Sequence, residues 1–190
     1  MSLFLSVQCG AEYTVYRKIL SEIENLPQLA GEILDLSGAI KKVSVELSKY
    51  KHLFFLGRGP SYAMALEAAL KFKEITYIHA HAVPIGELKH GPLALIDSEC
   101  PSIVFVPDDL YRQHNLSAIA EIQARGGKIC AISQTPVAEA DWNIILPPCP
   151  PIFFGFLAAT AGQLLAYHAA HALGREIDRP RNLAKSVTVR

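Results

Sequence analysis

Cysteine is scarce and poorly spaced for pairing: Cys9, Cys100, Cys130 and Cys149 form no Cys-x-x-Cys element. That argues against a structural zinc site or a redox dithiol, and free thiols in a reducing cytoplasm are expected. Excess charge of either sign is missing too, since 18 lysines and arginines balance 18 aspartates and glutamates. A neutral chain lacks the basic footprint of a nucleic-acid or anionic-membrane binder, so neither partner is expected. Long apolar runs are absent. The longest, Ile152 to Gly162, stops at Gln163 and falls short of the ~20 residues that span a bilayer. No charged segment leads an apolar one at the start, so no signal peptide is read.

What is present is apolar bulk. Of 190 residues, 51% are hydrophobic and 19% charged, enough for one compact core. Helical apolar spacing marks Cys9 to Asn25, with Pro27 expected to end that helix, and again Leu36 to Tyr50. From there the elements alternate. Leu53 to Gly57 reads as a strand buried on both faces, Ser61 to Glu74 as a helix, and Tyr77 to Ala82 and Ser102 to Val106 as strands. Leu110 to Arg125 reads as a helix stopped by Gly126-Gly127, followed by strands at Lys128 to Ser133 and Trp142 to Leu146. After a proline-rich turn at Pro147 to Pro151, Phe153 to Leu173 is a long helix, apolar on most of its circumference. It suits a core helix, with a subunit interface as the alternative. The rhythm predicts an α/β fold, a three-layer sandwich on a five-stranded parallel sheet.

Four constellations stand out. Gly57-Arg58-Gly59, between a strand and a helix, offers backbone amides to a phosphate or is simply a tight turn. Glu67, Lys71 and Glu74 share one helix stripe by their spacing: a salt-bridged face, or a carboxylate base beside a lysine. His79 and His81 share one strand face; with His90 they make a poor metal set, having no cysteine or carboxylate in support. His90 lies in Gly86-Glu87-Leu88-Lys89-His90-Gly91-Pro92, a polar excursion from the sheet and a better functional candidate. The stretch from Arg175 to Arg190 carries five basic residues against two acids, yet Ala184, Val187 and Val189 favour a tail that packs and presents one lysine.

Leu70-Lys71-Phe72-Lys73-Glu74-Ile75, the Gly86 to Asp97 segment and Pro180-Arg181-Asn182-Leu183-Ala184-Lys185-Ser186-Val187-Thr188-Val189 resemble the isomerase region of the glutamine–fructose-6-phosphate aminotransferase family. Leu56-Gly57-Arg58-Gly59 and Ala124-Arg125-Gly126-Gly127 fit as well, and the resemblance runs from about Tyr13 to Arg190. It implies the second of two tandem sugar isomerase (SIS) folds plus the C-terminal tail. Residues 1–50 are then helices packed on the SIS fold, 51–174 the SIS sandwich and 175–190 a catalytic tail, in one compact domain.

The resemblance also implies roles. Glu74 matches the base that moves a proton between C1 and C2 of the sugar, and Lys71 its neighbour in the site. His90 matches the residue that opens the sugar ring, given across a homodimer to the other subunit. Lys185 matches the lysine that forms a Schiff base with the open-chain ketone, with Ala184 beside it among the substrate contacts. Fructose 6-phosphate and glucosamine 6-phosphate are the implied substrate and product. The first SIS fold and a glutaminase domain are the implied partners, with no cofactor and no metal.

Departures are equally concrete. The family's Ser/Thr-rich phosphate loop has no counterpart; Pro107-Asp108-Asp109-Leu110 stands after the third strand, and its acids are expected to repel phosphate. No N-terminal cysteine nucleophile is present, Arg179 replaces a glutamine, and Arg190 a terminal glutamate. The chain is therefore expected to be a piece of a longer enzyme, inactive alone, or a stand-alone relative paired with a separate chain. A non-catalytic sugar-phosphate-binding SIS module and a related phosphosugar isomerase or deglycase are the alternatives.

Overall fold

The computed structural model describes residues 5, 8–10 and 12–183. Five strands form one all-parallel sheet: β1 (His52–Gly57), β2 (His79–Pro84), β3 (Ser102–Val106), β4 (Ile129–Ser133) and β5 (Trp142–Ile145). Their order in space is β2-β1-β3-β4-β5. The predicted three-layer α/β sandwich with a five-stranded parallel sheet is the fold observed. Its reason is visible in β1, β3 and β4, whose interior residues are buried on both faces and leave no polar side to meet water.

Two apolar clusters flank the sheet. Phe55, Ile103, Phe105, Cys130 and Ile132 point to one face, where they meet α3 (Pro60–Thr76) and α5 (Phe154–Ala172). The N-terminal helices α1 (Tyr13–Asp35) and α2 (Ser37–Leu47) add Leu29, Ile33, Ile40, Val43 and Leu47 to that same core. Phe54, Leu56, Val104, Val106, Ile129 and Ala131 point to the other face, under α4 (Arg112–Gln123) and the 3-10 turns Ile85–His90 and Pro92–Leu95.

Three expectations need correction. Pro27 does not end the first helix; it sits inside α1, which starts at Tyr13 and runs to Asp35. Proline costs the helix interior about 3 kcal/mol, and burial of Leu29 and Ile33 beyond it offsets this at roughly 1.5–3 kcal/mol each. Helix α3 opens at Pro60 rather than Ser61, because proline's fixed φ suits the first helical position. The helix also runs on to Thr76, so Tyr77 is its left-handed C-cap and β2 begins two residues later than expected.

The excursion after β2 is ordered as the two 3-10 turns and buries Ile85 and Leu88. Helix α5 is a core helix on one side, through Leu157, Ala158, Ala161, Leu165 and Ala169. Its other side keeps Phe156 at 62% exposure. By length and composition alone, Pro151–Ala172 is apolar enough to cross a membrane, which the run length did not reveal, but half of it is buried inside this α/β fold.

Candidate active site

Helix α3 carries the charged pair. Spacing of three places Lys71 and Glu74 on neighbouring turns of one face, and Lys71 Nζ donates to Glu74 Oε2 at 2.9 Å. Their side chains are 37% and 27% exposed, half out of water but open to a ligand. The hydrogen bond to Glu74 is the first cause that holds the Lys71 ammonium above its ordinary pKa; the charges of Glu74 and Glu67 add to it, and partial burial opposes it. The charged stripe expected at Glu67, Lys71 and Glu74 therefore forms, with Lys71 as its centre. Lys71 stays charged at neutral pH and is a fixed cation beside the carboxylate rather than a proton donor.

Beyond Glu74 the helix closes on Tyr77, whose amide donates to the Lys73 carbonyl at 3.2 Å. The chain that leaves α5 comes back to this point. Arg181 N–H donates to Tyr77 Oη at 2.9 Å. The Arg181 guanidinium lies 4.1 Å from the ring centroid, and that of Arg175 lies 5.2 Å away. The start of the tail is thus fastened to Tyr77, three residues past Glu74 in sequence. Nothing in the sequence pattern singles out Tyr77 or Arg175; the signal would have been an aromatic residue at a helix end that calls for glycine. Ala184 and Lys185 lie outside the described residues.

His90 is not brought to the pair. It ends the first 3-10 turn and is exposed, and the turn packs through Ile85 and Leu88 into the α4-side cluster. Phe72, between Lys71 and Glu74 in sequence, belongs to the cluster on the opposite face of the sheet. Lys71 and Glu74 therefore meet each other in this chain, and His90 stands apart.

The C-terminal edge of the sheet holds a separate cleft of about 700 Å³, lined by Pro60, Ser61, Met64, Tyr111, Ile152 and Phe156 among others. Strand order reverses between β1 and β3 there, the usual crevice for ligands in open parallel sheets. Its chemistry does not suit a phosphate. The Ser61 hydroxyl is committed, accepting from Arg58 N–H at 3.0 Å and donating to the Arg58 carbonyl at 2.9 Å. The amides of Ser61 and Tyr62 are bonded to the carbonyls of Arg58 and Gly59. The Gly57-Arg58-Gly59 turn is accordingly a closed tight turn and not a phosphate cradle. A Cβ at Gly57 would collide with the Ser61 backbone carbonyl, which accounts for that glycine. The two acids beyond β3 are occupied locally. Asp108 pairs with Arg112 at 2.6 Å and accepts from Thr135 at 3.1 Å, while Asp109 caps the Tyr111 amide at 2.8 Å.

His79 and His81 do share a face of β2, and the sequence reading missed their neighbour His52, which pairs with His79 in register. Ring centroids are 5.7 Å apart for His52–His79 and 6.2 Å for His79–His81. Among the described residues, no three His, Cys, Asp or Glu side chains are grouped to hold a metal ion. Two of the thiols are held back from ionising: burial pushes Cys130 up to about 12, and burial with the Asp97 charge pushes Cys100 up to about 11.

A parallel α/β unit of 2-1-3-4-5 strand order, with an acid–lysine pair on its first crossover helix, defines the class of protein. Sequence comparison then specifies it. The SIS domain profile matches residues 46–173, and the chain belongs to the SIS domain family. It is 42% identical over 178 residues to the isomerizing glutamine–fructose-6-phosphate aminotransferase of Brucella abortus biovar 1, covering 91% of this chain and 29% of that protein. It is 43% identical over the same span to the enzyme so named in Mesorhizobium japonicum. The C-terminal domain of glucosamine-fructose-6-phosphate aminotransferase from Francisella tularensis superimposes with a TM-score of 0.81 at 36% identity, over 86% of this chain and 47% of that one. Tagatose-6-phosphate ketose/aldose isomerase from Escherichia coli gives a TM-score of 0.60 at 26% identity, over 75% of this chain and 43% of that one. The chain thus spans about 29% of the length of the curated relatives it matches, and it corresponds to an SIS portion of them.

Proposed function

We propose that the chain supplies the second SIS unit and the C-terminal tail of an isomerising glutamine–fructose-6-phosphate aminotransferase, and that it works as a cytoplasmic homodimer. The observation that carries this reading is the half-exposed Lys71–Glu74 pair with the root of the tail fastened to Tyr77 at the end of the same helix. In this reading residues 1–50 buttress the SIS sandwich of 51–174, and 175–190 is the catalytic tail.

Converting a 2-keto sugar to a 2-amino aldose requires a proton to leave C1 and a proton to arrive at C2. One carboxylate placed over both carbons can take the first and return it, so Glu74 is the base. Such a base contributes ~10²–10⁴-fold in rate. Lys71 holds that carboxylate in place and keeps a positive charge beside the oxyanion that develops. His90 moves the proton of the ring hydroxyl as the ring opens, from the partner subunit's side of the site. Lys185 forms the imine with the open-chain ketone of fructose 6-phosphate, releasing water; ammonia from glutamine then displaces the lysine amine and leaves the 2-imino sugar on which Glu74 acts, with Ala184 against the substrate and the tail closed over the site. The sugar phosphate is bound by the first SIS unit of the complete enzyme. The apolar switch-point cleft of this chain, with its serine already committed, supports that division of labour.

The test is borohydride trapping of the complete enzyme with fructose 6-phosphate, followed by peptide mapping. Reduction fixes an imine, and the label is expected on Lys185. Label confined to other lysines, or full activity in Lys185→Arg, removes Lys185 from the mechanism.

A further inference from the structure

Two residues other than glycine have left-handed backbones among the described residues: Tyr77 at φ 65° and Asn182 at φ 62°. For a bulky aromatic this conformation is strained, and strain of this kind persists where surrounding contacts over-determine it. Both residues stand at one joint. Leu183 N–H donates to the Pro180 carbonyl at 3.4 Å, closing a four-residue turn around Arg181 and Asn182. A positive φ at the third residue of such a turn is the type II requirement, which asparagine meets. The turn leaves the Arg181 amide free to donate to Tyr77 Oη, and it lays the Arg181 guanidinium over the ring with Arg175 beside it. Two like-charged guanidinium groups converge here because an electron-rich ring face attracts each of them.

We propose that Tyr77 is a positioning residue for the tail: its left-handed C-cap aims the phenol at the chain leaving α5, and the phenol pins the Pro180–Leu183 turn at the C-terminal end of α3, the helix that carries Glu74. The role deepens the function proposed above and rests on it for its catalytic consequence, but the pinning itself involves no sugar. Tyr77 acts through the tail. A glycine would cap the helix without strain, so the aromatic side chain is kept for what it holds rather than for the helix. Core packing does not demand it either, since Tyr77 is only partly buried and belongs to neither core cluster.

The experiment compares Tyr77→Phe, Tyr77→Leu and Tyr77→Gly. Trypsin cleaves after Arg181 once that side chain leaves the ring, so the nicking rate at Arg181–Asn182 in this 190-residue chain reads the pin directly. Tyr77→Gly and Tyr77→Leu are expected to be nicked about tenfold faster than wild type, a shift typical of releasing a locally ordered segment. Tyr77→Phe, which keeps the ring and loses the acceptor, is expected to fall between. The melting temperature of Tyr77→Gly is expected to stay level or rise, because the backbone strain is relieved. In the complete enzyme the same variant is expected to lower kcat and Lys185 labelling while KM holds. Unchanged nicking in Tyr77→Gly and Tyr77→Leu overturns the pin. So does a fall in melting temperature that accounts for the faster nicking, and unchanged Lys185 labelling despite faster nicking overturns the positioning role. Absence of Lys185 labelling in wild type instead refutes the function proposed above and leaves the nicking result to stand by itself.

Discussion

Gly162 of α5 lies so close to Ala68 of α3 that a Cβ added to the glycine would stand 2.8 Å from the alanine's own. Among the described residues these two helices make the most extensive helix–helix contact, and the residue pair sets how near they come. Gly162→Leu gains ~1 kcal/mol of helix propensity and loses about 1–3 kcal/mol to overpacking. The loss is expected to win, lowering the urea midpoint without changing its slope.

Glu74→Gln keeps the shape of the side chain and removes the proposed base. In the complete enzyme it is expected to cut isomerisation by roughly 10²–10⁴-fold. Stability is expected to change by less than about 1 kcal/mol, because the Lys71–Glu74 pair is partly exposed and such pairs contribute little. Rates of glucosamine 6-phosphate formation, set beside circular dichroism melts, check both. Near-normal turnover in a folded variant reduces Glu74 to a salt-bridge residue.

Since the turn that ends at His90 packs through Ile85 and Leu88 on the opposite face of the sheet from α3, which carries Lys71 and Glu74, one subunit is not expected to use all three. Mixing inactive His90→Ala and Glu74→Gln enzymes is expected to restore activity in the heterodimers, up to about a quarter of wild type if subunits exchange at random and one of two sites is rebuilt in half the dimers. No recovery after subunit exchange is confirmed by mass spectrometry removes the shared site.

His168 gives the fold a pH dependence. Its Nε2 lies 2.7 Å from Ser37 Oγ, tying α5 to α2. Burial first, then the charges of Lys41 and His171, hold its pKa below the ordinary 6.5. The unfolded chain therefore binds the proton more tightly, so the contribution is full above about pH 6.5 and is lost as pH falls toward the folded value. Melting temperatures measured from pH 7.5 down to 5 are expected to fall, and His168→Gln is expected to flatten that fall.

The parallel sheet was legible because β1, β3 and β4 are apolar on both faces, and few other architectures bury such strands. Element ends were less so. Pro27 is a breaker by local rule, yet tertiary burial of Leu29 and Ile33 carried α1 through it. The charged pair on α3 followed from spacing alone, but spacing could not say that Tyr77, at the end of that helix, would meet Arg181, 104 residues away in sequence. The same limit applies to His52, whose partnership with His79 depends on strand register. The acids after β3 show the same limit. Their charge was plain, but Arg112, Thr135 and the Tyr111 amide, which engage them, become neighbours only once the chain is folded.

Both margins of the sheet are short and poorly suited to another strand. On one side β2 has six residues, carries His79 and His81 and ends at Pro84, which has no N–H to give. On the other, β5 has four residues and is followed almost at once by prolines 147, 148, 150 and 151. Margins of this kind discourage strand addition. Neither margin is a ready template for a sixth strand, so a second copy or a second SIS unit is expected to meet this one through helices and loops, on surfaces away from the sheet edges.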